Sequence, residues 1–181
     1  MFSNLRNLMD GIGDFTRKVS TPYAPVVWNE GEYETIEPSF NVVFEGYYDA
    51  DVTLGGAAAG VPLKNSIIDG ATFTHASGAS VVTIRKAGTY LICASASGER
   101  VSSQGIVYGQ IVHNGTLIPG ALMEDQFTNA AGSVCSVGGK SRTIVAAAND
   151  TVEFQAWKFG GGAKLLADTI AMTIIKLAES P

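Results

Sequence analysis

Two histidines, two cysteines and seventeen carboxylates are the side chains that could do chemistry in this 181-residue chain, and their spacing assembles none of the familiar reactive sets. His75 lies in the turn-like stretch THASGAS and His113 stands beside an Asn-Gly pair. Neither has a carboxylate or nucleophile at a recognisable spacing, so both read as surface or hydrogen-bonded histidines. Cys93 and Cys135 sit among apolar and small residues, with no Cys-x-x-Cys and no His pair at ligand spacing. They read as buried free thiols rather than a disulfide or a metal site. No Gly-x-Ser-x-Gly elbow or His-Glu-x-x-His is present, and Gly160-Gly161-Gly162 lacks the Lys and Ser/Thr that a phosphate loop requires. Catalysis is therefore not expected, and neither is a cofactor. Asn114-Gly115-Thr116 and Asn149-Asp150-Thr151 match the glycosylation pattern but read as turn asparagines.

The carboxylates are unevenly spread. Residues 1–63 hold nine acidic and three basic groups, a net of −6, whereas the whole chain carries −5. Between Val19 and Leu63 there is no Lys or Arg, while Glu30, Glu32, Glu34, Glu37, Glu45, Asp49 and Asp51 accumulate. Three uses are open: contact with a basic partner surface, a solvated acidic face, or a carboxylate cluster for Ca²⁺, although no DxDxDG loop occurs. A nearly neutral remainder offers no basic stripe for nucleic-acid phosphates. No apolar run reaches the length of a membrane span, and MFSNLRNLMDGIGDF lacks both a continuous apolar core and a small-residue cleavage site. Neither nucleic acid nor membrane is expected as a partner.

These groups need a scaffold, and 21 glycines among many Val, Thr, Ala and Ile suit short strands and tight turns. Phe2, Leu5, Leu8, Met9, Ile12 and Phe15 are spaced as one face of an amphipathic helix, weakened by Gly11 and Gly13. A marginal helix gains stability only by laying its stripe on something, whether a foreign partner or its own protein. STPYAPVVWNEGEYETIE then reads as an extended arm, with Trp28 a further anchoring residue. LGGAAAGV is too small in side chain to pack a core and reads as a linker or loop. The expected organisation is thus residues 1–60 as helix, acidic arm and Gly/Ala-rich linker, and 61–181 as a head domain.

Within the head, strand signals recur at Ser80–Arg85, Thr89–Ser95, Val107–His113, Arg142–Ala147, Thr151–Trp157 and Thr169–Leu177. Turn chemistry separates them at Lys86-Ala87-Gly88, Asn114-Gly115 and Asn149-Asp150. Asn114-Gly115 is the sharpest of these, because a type I′ hairpin turn needs positive φ at both central residues. The pattern predicts an all-β, antiparallel sandwich or barrel.

Five phrases carry a more specific resemblance: VPLKN at Val61, VVTIRKAGTYLICASAS at Val81, YGQIVHNGTLI at Tyr108, SRTIVAAANDTVEFQAW at Ser141, and TIAMTIIKL at Thr169. Their order resembles the globular heads of complement and tumour necrosis factor type proteins, with Gly88 and Tyr90 as fixed points. The resemblance implies an antiparallel jelly roll that assembles as a homotrimer, with Tyr108, Phe127, Trp157 and Phe159 as candidates for the trimer interface. Ordinary core packing within one subunit is the other reading of each of these aromatics. The collagen-like Gly-X-Y stalk of such heads is missing, and the last strand ends on KLAESP.

Trimeric heads on short anchors resemble the decoration proteins, head fibres and fibre tips of tailed bacteriophages, an analogy at the level of the family. The expected function is that of a structural virion protein, a capsid decoration or cement protein on the outer surface of the shell, made in the host cytoplasm. It would grip the major capsid protein, or another virion protein, through its N-terminal arm. The alternative is a receptor-binding fibre tip whose loops at Ala96–Gln104 and Glu124–Gly139, rich in Ser, Gly and Asn, recognise a host surface glycan or protein.

Overall fold

A computed structural model of the chain describes residues 42–127 and 132–179, together with the backbone of two short strands before them. The chain divides into two units, Met1–Phe40 and Asn41–Pro181. In the first, β1 (Val26–Asn29) and β2 (Glu32–Thr35) form an antiparallel hairpin with Trp28 opposite Tyr33 in register. The helix expected through Phe2, Leu5, Leu8, Met9, Ile12 and Phe15 lies outside the described residues, as does the side chain of Trp28.

The second unit runs β3 (Val42–Tyr48), β4 (Val52–Thr53), β5 (Ala59–Gly60), β6 (Lys64–Ile68), β7 (Phe73–Thr74), β8 (Val81–Ile84), β9 (Gly88–Arg100), β10 (Gly105–His113), β11 (Thr116–Leu117), β12 (Met123–Gln126), β13 (Val134–Ala146), β14 (Thr151–Gly160), β15 (Ala163–Leu165) and β16 (Ile170–Glu179). Among the described residues there is no helix, and so none that could cross a membrane. All strand pairs are antiparallel. The first sheet runs β13-β9-β16-β3-β6, with β15 following β16 along the same edge of β9 and β4 outside β15. In the second, β10 and β14 form the centre, β11 and β12 flank β10, and β5 and β8 flank β14, with β7 beyond. From β8 onward the chain crosses repeatedly between the sheets, into β9, back to β10, into β13 and back to β14, which makes the sandwich a jelly roll.

The head takes in residues that the composition had assigned to arm and linker. It begins at Asn41 rather than residue 61, because β3 is an interior strand held between β16 and β6. Gly-Gly-Ala-Ala is a loop inside the domain: Leu54 before it is buried, and Ala59–Gly60 after it pairs with β14. The small side chains suit that pairing, since a Cβ at Gly60 would collide with the side chains of Glu153 and Ser80, which lie across it.

One hydrophobic cluster draws on both sheets, with Phe44, Tyr90, Ile92, Met172 and Ile174 facing Phe73, Ile84, Val107, Ile111 and Phe154. Each such side chain contributes about 1.5–3 kcal/mol by leaving water. Tyr90 is the largest side chain in it and crosses its phenol edge-on against Phe73, with ring centroids 5.7 Å apart. Its hydroxyl donates to the Lys86 carbonyl at 2.6 Å, and burial pushes its pKa up to about 12. Two residues earlier, Gly88 lets β9 and β16 approach closely, since a Cβ there would lie 2.6 Å from the Ala178 carbonyl oxygen. Gly88→Ala is therefore expected to cost about 1–3 kcal/mol of stability through forced backbone movement, read as a lower urea midpoint at unchanged slope.

Candidate functional site

The two sheets present outer faces of different chemistry. On the first, strand alternation projects Thr89, Leu91, Cys93, Ser95 and Ser97 from β9, Thr143 and Val145 from β13, and Ala171, Thr173 and Ile175 from β16. Val145 is 71% exposed and Leu177 52%. Glu45 and Tyr47 stand on the same face opposite Thr173 and Ala171. An outward sheet face is ordinarily polar, whereas the centre of this one is built of apolar, small and hydroxyl side chains, with Glu45, Lys140 and the ion pairs of Lys64 with Asp49 and of Lys164 with Glu99 around it. A β-bulge at Gly138 and Lys140, with Gly139 at φ 77°, lifts β13 beside it. Cys93, Ser95, Lys140, Ala171 and Thr173 line the resulting groove of about 300 Å³. Cys93 is thus half-buried on an outer face rather than in the core, while Cys135 is buried and burial pushes its thiol up to about 11. Both are free, as their surroundings in the sequence had indicated.

On the second sheet, β14 projects Glu153, Gln155, Trp157 and Phe159, and β10 projects Ile106, Tyr108 and Gln110. The register sets Phe159 opposite Ile106, Trp157 opposite Tyr108 and Gln155 opposite Gln110. Tyr108 and Trp157 stack, with ring centroids 5.0 Å apart and planes 12° from parallel. Phe159 is 69% exposed. Beside the stack, Gln110 Nε2 donates to Gln155 Oε1 at 2.7 Å, Gln155 Nε2 donates to Glu153 Oε2 at 2.6 Å, and the Ser80 hydroxyl donates to Glu153 Oε1.

The structure thus brings three of the four aromatic candidates together on one face. Phe127 does not join them: it is buried in the sandwich core, because the chain turns inward after β12. The resemblance had singled out the aromatics as trimer-interface candidates and passed over Gln110, Gln155 and Glu153. The signal was present in TVEFQAWKF, whose alternate residues Glu, Gln, Trp and Phe share one side of a strand.

At one end of the sandwich the turns at Asn114 and Asn149 form a single hydrogen-bonded corner. Asn114 and Gly115 have φ of 50° and 73°, as a type I′ turn requires, and Asn149 has φ 75°. Asn114 Nδ2 donates to Asp150 Oδ1 at 2.8 Å, while Asn114 Oδ1 accepts the Thr151 amide at 2.8 Å. Asp150 Oδ2 accepts the Ala147 amide and lies 2.8 Å from His113 Nε2. His113 therefore does have a carboxylate partner, one 37 residues away in sequence. No nucleophile accompanies them, and the arrangement ties two turns together. His75 is buried, with Nε2 3.0 Å from the Ala79 carbonyl and its ring edge-on to Phe44.

At the other end, Arg100, Val101, Lys158, Lys164 and Glu99 line an open cleft of about 520 Å³. Lys164 Nζ is shared between Asp51 at 2.8 Å and Glu99 at 3.3 Å, and Lys64 pairs with Asp49 at 2.7 Å. Two of the acidic residues counted toward a partner-binding surface are thus matched by lysines within the head. Among the described residues no group of three or more His, Cys, Asp or Glu could hold a metal ion.

No family model matches the chain, and no curated protein sequence does either. Solved structures match the fold. The Eiger tumour necrosis factor of S. frugiperda superposes with a TM-score of 0.54 at 10% identity, covering 76% of this chain and 93% of that one. Murine APRIL, at pH 8.0, superposes with a TM-score of 0.53 at 10% identity over 74% and 97%. The chain therefore has a tumour-necrosis-factor-like jelly-roll fold, as the order of its strand and turn phrases had implied.

The Asp150 corner makes a prediction with a definite sign. Asn114, the Ala147 amide and His113 together hold the Asp150 carboxyl below its ordinary value of 3.8. A carboxylate favoured in the folded state stabilises above its unfolded pKa and loses that contribution as pH falls through its folded pKa. Asp150→Asn should cost about 1–2 kcal/mol at neutral pH. In thermal unfolding from about pH 7 to pH 2, the difference from the native chain should shrink below about pH 4.

Proposed function

We propose that this chain is a non-enzymatic structural protein of a virus particle: a homotrimeric jelly-roll head that decorates the shell, mounted through its N-terminal segment. The observation that carries the oligomeric part is the outer face of the first sheet. Leu91, Thr173, Ile175 and Val145 form an uncharged centre with the charged side chains set around it, and charge depletion is the compositional mark of an interface centre. Two further copies of the same chain are the occupants we assign to it. A threefold axis repeats one heterologous contact between neighbouring copies until the ring closes, so one pair of surfaces covers every copy, and threefold assembly is what the jelly-roll resemblance implies.

A head of this kind needs no reactive group. Three N-terminal segments on one trimer raise the effective concentration of each for the shell, so modest contacts suffice for stable attachment. The acidic arm between Val19 and Phe40 supplies charge for a basic shell surface. Eiger and APRIL contribute support for the fold to this reading and none for the virion.

Light scattering on the full chain should give three times the 18.9 kDa chain mass. Leu91→Asp and Thr173→Arg, each placing a charge at the centre of the face, should reduce the mass to that of one chain with the far-ultraviolet spectrum unchanged. A chain starting at Asn41 should remain a trimer and fail to sediment with purified shells, on which the full chain is present in hundreds of copies. A monomeric full chain sinks the trimer; equal attachment of the shortened chain sinks the anchor.

A further inference from the structure

The outer face of the second sheet is left unused by that proposal. It combines three features that seldom coincide on a solvated surface. The first is the stacked pair Tyr108 and Trp157 with the largely bare ring of Phe159 one rung further on. Successive rungs on one face of a strand are about 6.8 Å apart, so the three rings and the amides beside them form a continuous row. The second is the chain of hydrogen bonds from Gln110 through Gln155 to Glu153. Glu153, fixed by Ser80, sets the orientation of Gln155, which sets that of Gln110. Each carboxamide keeps a second N–H, and the terminal one keeps its carbonyl oxygen, for a further partner.

The third feature is the charge of the face. β10, β12 and β14 contain one basic residue other than His113, Lys158, and it belongs to the opposite alternation, lining the cleft at the end of the sandwich. The charged groups on the aromatic side are Glu153 and, opposite Tyr108, Glu124. Phosphate, sulfate or uronate ligands would meet no cation there, which also disfavours a nucleic acid stacked on the rings. A peptide strand has no access to the backbone of β10 or β14, since both are paired along both edges. What remains is a ligand with a flat apolar C–H face for the rings and a rim of uncharged hydroxyls, which can donate and accept at once, for the carboxamides.

We propose that the face built from Trp157, Tyr108, Phe159, Gln110 and Gln155 is a binding platform for a neutral saccharide, with the sugar packed against the exposed Phe159 ring and the outer edge of the Tyr108–Trp157 stack and its hydroxyls paired to the two amides. The site is formed within one chain, so it stands whether or not the head is mounted on a shell. It also lies on the sheet opposite to the proposed trimer face, and it borders Glu124 at the start of the stretch first read as a recognition loop, which is strand β12 there.

The chain has two tryptophans, Trp28 and Trp157, so Trp28→Phe makes Trp157 the sole reporter. Its fluorescence is followed while full-length protein is titrated with neutral hexasaccharides of the cello-, malto-, manno- and galacto- series, and with polygalacturonate as the anionic control. At least one neutral series should produce a saturable change, and polygalacturonate none. Phe159→Ala, at an exposed position, and Gln110→Ala, at a partly buried one on the outer face, should each weaken that binding about tenfold. Native gels cast with the corresponding neutral polysaccharides test the unsubstituted chain in parallel, where retarded migration should be lost in Phe159→Ala. No saturable change with any neutral series up to about 10 mM, together with unretarded migration, overturns the proposal. Binding that survives both substitutions, or that favours polygalacturonate, overturns it equally.

Discussion

Strand β9 is hydrogen-bonded along both edges for most of its thirteen residues, to β13 on one side and to β16 and β15 on the other. That double pairing fixes its register, and register fixes everything that faces outward. Tyr90, Ile92, Ala94 and Ala96 point into the core, so Leu91, Cys93, Ser95 and Ser97 must point away from it. A slip of one residue would bury Ser95 and Ser97 and expose Tyr90, whose hydroxyl would lose the Lys86 carbonyl. Neighbouring strands inherit this setting through their pairing, and the uncharged centre of the outer face is its consequence.

The second sheet answers to the same rule with different residues. Val152, Phe154 and Ala156 of β14 are buried, which sends Glu153, Gln155 and Trp157 outward beside the residues of β10 that share their rungs. One jelly roll thus offers two large surfaces made by one alternation: a face with an uncharged centre, proposed here to meet copies of itself, and an aromatic and amide face, proposed to meet a hydroxylated ligand. The sandwich sets the two on opposite sides. Between them, the ends of the sandwich carry groups that satisfy one another, the Asp150 corner at one end and Lys164 between Asp51 and Glu99 at the other.

Local signals were legible where the physics is local. Asn114-Gly115 demands positive φ wherever it stands between strands, and it makes the expected turn. The strands from β8 to β10, the second half of β13, β14 and β16 have strong periodicity and clear turn residues. β3 was hidden, because it sits in an acidic, lysine-free stretch and its partners β16 and β6 are supplied by the fold. The first half of β13 was hidden for another reason: Gly138 and Gly139 break the pattern, and only the bulge against Ser95 shows why they are there.

By itself, then, the sequence determined the class of fold, the turns and the reduced cysteines, since each follows from a residue's own backbone preference or from its near neighbours. It also named Tyr108, Trp157 and Phe159, with Phe127, as trimer-interface candidates. Tertiary structure decided that Phe127 belongs to the core instead, that His113 has Asp150 as its partner, and that Gln110 and Gln155 stand beside the aromatics. These outcomes depend on the register between strands far apart in sequence, which is set by how the whole core closes and is written in no single segment.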